Sequence, residues 1–87
     1  MITKEDYVKK IEYEKDRVTK SIIDSVRKSI DTCAQGMPIV KDYSMSEYEL
    51  EYFDKKKFEE FEKEYPFLLF VVYSYNISWL LREEEQK

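Results

Sequence analysis

The chain has 87 residues, a net charge of −4, no histidine, one cysteine and one glycine. Those absences weigh against histidine-based acid–base chemistry, against metal centres built on imidazole and against glycine-rich phosphate loops. What remains is charge, 39% of the residues, and aromatic surface that includes eight tyrosines, which is the material of helices and interfaces.

A chain of this length makes one domain, 1–87, and a small one, with roughly 60–65% of its unfolded surface buried and a thin margin of stability. The lone Cys33 forms no disulfide within the chain and reads as a reduced, buried residue of a cytoplasmic protein. Met1 to Asp16 is charged throughout and holds no apolar core of a signal segment. Asn76-Ile77-Ser78 matches a glycosylation sequon, which without a secretory signal carries little weight. Residues 1–41 hold nine Lys/Arg against seven Asp/Glu, whereas residues 42–87 hold six against twelve. The acidic half would be repelled by a phosphate backbone, so nucleic acid is disfavoured as a partner of the whole surface.

Gly36, Pro38 and Pro66 divide the chain into 1–35, 37–65 and 66–87. The first part predicts one long helix. Thr3 suits the N-cap, and Tyr7, Val8, Ile11, Val18, Ile22, Val26, Ile30 and Cys33 recur on one side. Pairs such as Glu5 with Lys9 and Asp24 with Lys28 support it, and Gly36 and Pro38 would end it. Residues 4–35 would reach about 48 Å, longer than a globule of this size is wide. The helix must therefore bend, break or pack partly on something else.

Met37 to Tyr43 reads as a connector, and Ser46-x-x-Glu49 as a capping box with Met45 and Leu50 as its hydrophobic staple. Leu50, Phe53, Phe58, Phe61 and Tyr65 share a face, which favours a helix over 46–65. The competing reading is a strand, since Tyr48, Leu50 and Tyr52 alternate with Glu47, Glu49 and Glu51; the helix would then start only at Asp54. Phe67 to Leu81 is nearly all apolar, and about twenty residues without a turn signal favour a third helix from Pro66, with Ser74, Ser78 and Arg82 as its small-and-polar stripe. The expected fold is all-α: a three-helix, bundle-like domain with a long first helix. The alternative is α+β with strands near 48–53 and 67–75.

Several groupings invite a chemical reading. Glu59, Glu60, Glu62 and Glu64, and Glu83 to Glu85, read as solvated charge beside Lys55, Lys56, Lys57 and Lys63, so no metal or cofactor is expected. Cys33 sits near a predicted helix C-terminus, where nothing lowers its pKa, and reads as packing. Fifteen apolar residues of helix reach about 22 Å, short of a bilayer core. The cations Lys9, Lys10, Arg17, Lys20, Arg27 and Lys28 form a basic back on the first helix, interleaved with Glu14, Asp16, Asp24 and Asp31.

The chain is therefore expected not to be an enzyme but a non-catalytic protein-binding module. The expected role is a stoichiometric inhibitor or modulator of a larger, basic-surfaced, nucleic-acid-handling protein, of the phage anti-defence or immunity-protein type, an argument by class alone. Tyr48, Glu49, Tyr52, Glu59 and Glu62 are the expected partner-binding residues, since tyrosine concentrates binding energy and carboxylates suit a basic partner. The overhang of the first helix predicts a homodimer with Val8, Ile11, Val18 and Ile22 in its seam and Lys15 among them. The alternatives are an accessory nucleic-acid-binding protein that uses the basic back, and a structural homo-oligomerisation unit.

Overall fold

The computed structural model describes residues 1–32 and 40–82. Its elements are α1 (Lys4–Thr32), β1 (Asp42–Ser44), α2 (Glu47–Glu51), α3 (Lys55–Glu62), β2 (Leu68–Tyr73) and β3 (Asn76–Leu81). The strands form one antiparallel sheet in the order β1-β3-β2.

α1 begins where the sequence places its cap: the Thr3 hydroxyl accepts from the Asp6 N–H at 3.1 Å. Its 29 residues reach about 43 Å at 1.5 Å per residue, unbroken, in a molecule whose longest axis is 57 Å. Only part of the apolar stripe is used. Val18, Ile22 and Val26, spaced by four, are buried, and Ile30 is half-buried. Tyr7 and Val8 stay exposed, and Ile11 is half-buried. The first turns of α1 thus project beyond the core as an arm. The roles read for Cys33, Gly36 and Pro38, the first part of the connector and the carboxylates Glu83 to Glu85 lie outside the described residues.

The helix expected over 46–65 is two helices. Ser46 closes its capping box as expected: the Glu49 N–H donates to Ser46 Oγ at 3.2 Å and the Ser46 N–H donates to Glu49 Oε1 at 3.0 Å. The chain then leaves the helix at Tyr52. Asp54 starts a new one, its carboxylate accepting from the Lys56 N–H at 3.1 Å. Thr19 of α1 sits in the break, fully buried. Its hydroxyl accepts from the Asp54 N–H at 2.8 Å and donates to the Tyr52 carbonyl at 3.3 Å. A continuous helix would need those same backbone groups for its own ladder.

The all-α expectation is overturned by the sheet. The third helix expected from Pro66 is a hairpin, with Phe70 opposite Trp79 and Val72 opposite Ile77. Phe70, Val71, Val72 and Tyr73 in β2 and Ile77 and Trp79 in β3 suit strands, and pairing across the turn lets the apolar run bury one side while its backbone is satisfied by its neighbour. The turn is Ser74-Tyr75, with Ser74 at φ 56°. That conformation suits a two-residue hairpin and favours glycine or asparagine, so serine there is unusual. Ser74, Ser78 and Arg82 consequently form no helical stripe. The α+β alternative placed one strand correctly, near 67–75. Its other strand, near 48–53, is the helix α2 instead. The sheet is completed by β1, from the stretch read as a connector, with Tyr43 opposite Ile77.

The core lies between the helices and the inner side of the sheet. It joins Val18, Ile22 and Val26 to Met45, Phe58, Phe61, Ile77 and Trp79. Phe58 is its centre, completely buried, with ring centroids 5.6, 5.3 and 5.7 Å from Phe53, Phe61 and Phe70.

Candidate binding surfaces

The five residues expected to bind a partner fall into two groups. Tyr48, Glu49 and Tyr52 belong to α2 and its last turn, and their polar atoms are engaged inside the chain. Arg17 Nη2 donates to the Tyr48 oxygen at 3.2 Å, and the Tyr48 hydroxyl donates to Glu14. Arg17 also holds Glu14 through Nε at 2.8 Å. Glu14 is half-buried, and Arg17 and then Tyr48 hold its carboxyl down at about 2. Tyr52 is half-buried and packs on Tyr48 with ring centroids 5.1 Å apart. Glu49 closes the capping box with one oxygen and accepts from the Tyr43 hydroxyl at 2.7 Å with the other. Burial, and then that bond, push the Tyr43 phenol up to about 12. This group buckles α2 onto α1, and Tyr48 keeps only part of its ring in solvent, 47% exposed.

Glu59 and Glu62 behave differently. They lie one turn apart on α3, beside the buried Phe58 and Phe61, and among the described residues neither joins an ion pair. Partial burial, and then the charge of Glu59, raise the Glu62 carboxyl above its ordinary range, while Lys55 and Arg82 act in the opposite direction. Two carboxylates of like charge thus stand together on α3, Glu59 exposed and Glu62 half-buried.

The basic back of α1 is partly consumed. Arg27 lies over the Phe61 ring at 5.3 Å and holds both oxygens of Glu64, at 3.0 and 2.8 Å. Arg17 is taken by Glu14, and Asp16 is bridged to Lys57 of α3 at 2.9 Å. Lys20 and Lys28 remain beside a shallow groove that Asp24 also lines, so negative charge interrupts the row.

The expected dimer seam is divided as well. Val18 is 4% exposed and Ile22 not at all, because both fill this chain's own core. Val8 and Ile11 lie on the projecting arm with Lys15. A surface that sequence reasoning missed is the outer side of the sheet, where Leu69, Val71, Tyr73 and Leu80 stand exposed. Its signal is the uncharged run 67–81, which is too long and apolar to be covered on one side only.

Among the described residues no helix is long and apolar enough to cross a membrane, and no group of three or more Cys, Asp or Glu is arranged to hold a metal ion. Compared with protein-family models, with characterised proteins and with solved structures, the chain matches none.

Proposed function

We propose that this chain is a non-catalytic protein-binding module of the cytoplasm, a stoichiometric inhibitor or modulator that occupies a basic surface on a larger protein. The observation that carries the reading is the carboxylate pair on α3. The other acidic residue expected to bind, Glu49, is tied into the fold by its cap and Tyr43, and the Tyr48 hydroxyl is held by Glu14 and Arg17. Glu59 and Glu62 join no described ion pair, and partial burial, then repulsion from Glu59, raise the Glu62 carboxyl. An arginine or lysine brought by a partner would relieve that repulsion and satisfy both carboxylates. The exposed part of the Tyr48 ring offers contact area in the same half of the chain.

The experiment is affinity capture from nuclease-treated lysate with the parent chain and a Glu59→Lys/Glu62→Lys variant side by side. The expected result is one basic protein at near-equal stoichiometry that the parent holds, the variant loses, and added salt weakens. Capture of the same protein by both chains, or recovery of the bait alone, would sink this reading.

A further inference from the structure

β2 departs from the pattern of an antiparallel strand that faces water on one side. Such strands alternate apolar-in with polar-out, whereas strands covered on both sides read as continuous apolar runs. β2 is Leu-Leu-Phe-Val-Val-Tyr. Leu68, Phe70 and Val72 turn towards the core, yet the opposite side carries Leu69, Val71 and Tyr73, 40%, 42% and 79% exposed. In register with Leu69 stands Leu80 of β3, 49% exposed. Phe67, just before β2, accepts at its carbonyl from the Arg82 N–H at 2.8 Å, but its ring turns to Tyr65, 6.1 Å away, and stays outside this row.

The charge pattern says what can cover this surface. No charged residue occurs between Phe67 and Leu81 in a chain that is 39% charged. On the outer side of the sheet the strands carry one charge, Asp42 of β1, opposite Ser78 and one strand further from β2. Two copies, each of net charge −4, repel one another overall. Here they can meet without opposing carboxylates. The centre of the patch, Leu69, Val71 and Leu80, is apolar, and the polar groups of Tyr73, Asn76 and Ser78 beside it both donate and accept, so the face can meet its own copy about a two-fold axis.

The area suits a weak contact. The exposed fractions of Leu69, Val71, Tyr73 and Leu80 amount to about two whole side chains. At roughly 200 Å² for a large side chain, that is about 400 Å² per copy. The two copies together bury about 800 Å² of this surface, to which Ser78 and Asn76 in the same rows add a polar margin, an area that fits a reversible dimer in the micromolar range.

We propose that a second copy of this chain covers the outer side of the sheet, the two sheets stacking face to face about a two-fold axis over β2. The contact would bring the sheets to the spacing of a β-sandwich, about 10 Å, with Asp42 of each copy held towards the rim. It lies on a different side of the molecule from the carboxylate pair on α3 and does not depend on the partner proposed above.

The test is sedimentation equilibrium of the full chain from low to high micromolar concentration. The expected mass rises from the 10.7 kDa of one chain towards twice that value. Because the contact is apolar, added sulfate should favour the dimer, the reverse of the salt effect expected for the α3 carboxylates. Val71→Lys and, separately, Leu80→Lys should each return the monomer mass at the same loading with an unchanged far-ultraviolet circular dichroism spectrum. Two changed strands guard against one variant failing to fold, and Glu59→Lys/Glu62→Lys should leave the dimer intact. A single-chain mass at the highest concentration would overturn the proposal. So would a dimer that survives both lysine variants, since that contact would lie elsewhere.

Discussion

Replacing Thr19 by valine keeps the shape of the side chain and removes one hydroxyl, that of the one polar residue fully buried among the described residues. That hydroxyl serves two backbone groups at the break between α2 and α3: the Asp54 N–H at 2.8 Å and the Tyr52 carbonyl at 3.3 Å. A buried donor or acceptor left without a partner costs about 1–3 kcal/mol. Both groups here are only half-buried, so each loses less than the full amount. The added methyl returns about 0.8 kcal/mol of burial. The expected net loss is about 1–2 kcal/mol, or roughly 5–15 °C in Tm for a domain of this size. Thr19→Ser keeps the hydroxyl and loses a methyl, for about 1 kcal/mol. Stability alone separates the two variants poorly, but amide hydrogen exchange separates them well. The Asp54 N–H should lose its protection in Thr19→Val and keep it in Thr19→Ser. A valine variant that melts within about 2 °C of the parent, with Asp54 still protected, would refute the account of why the chain breaks at Tyr52.

Phe58→Ala should cost about 3–5 kcal/mol in urea titrations, most of the stability of a domain this small, whereas Tyr13→Ala on the arm, 62% exposed, should stay within about 0.5 kcal/mol of the parent. Equal losses at the two positions would mean that the arm is packed. The Tyr43 phenol, raised to about 12 from 10, binds its proton more tightly folded than unfolded. Its contribution is therefore complete below pH 10 and is lost as pH rises towards 12, on the order of 2 kcal/mol in all. In thermal melts taken across that range, Tyr43→Phe should flatten the decline, and an unchanged slope would assign the alkaline loss to other groups.

α1 was legible because its signals agree: a 3.6-residue apolar stripe, opposite charges one turn apart and a threonine cap. The Ser46–Glu49 capping box was legible for the same reason, being local. The sheet was not. A solid run such as Leu68 to Tyr73 has no period, so it reads equally as strand or helix, and the turn that decides the matter is Ser-Tyr rather than Asn-Gly. β1 is three residues long and exists only by pairing with Ile77 and its neighbours. The break at Tyr52 to Asp54 had one signal that could have been read. Thr19 lies on the buried side of α1 beside Val18, and a hydroxyl there needs partners from another element. The candidate surface was hidden for a different reason. Tyr48 and Glu49 look available in sequence, but Glu14 lies 34 residues from Tyr48, and no local pattern shows that the two meet.

The two proposed surfaces follow from how charge is divided in the fold. The described ion pairs all involve α1 or its contacts with α3, where mixed charges offset one another in solvent. The hairpin of β2 and β3 carries no charge at all and has only one side covered. A chain of 87 residues has little core to spare, and leaving Leu69, Val71, Tyr73 and Leu80 in water forgoes burial that it could use. If a second copy covers them, association and folding are linked, and the apparent stability rises with protein concentration. In Val71→Lys that dependence should vanish while the stability at low concentration stays near that of the parent, because Val71 takes no part in the core. The arm of α1 and the carboxylates of α3 lie away from the sheet contact. A dimer built this way would therefore present the acidic pair twice, to a partner bound on either side.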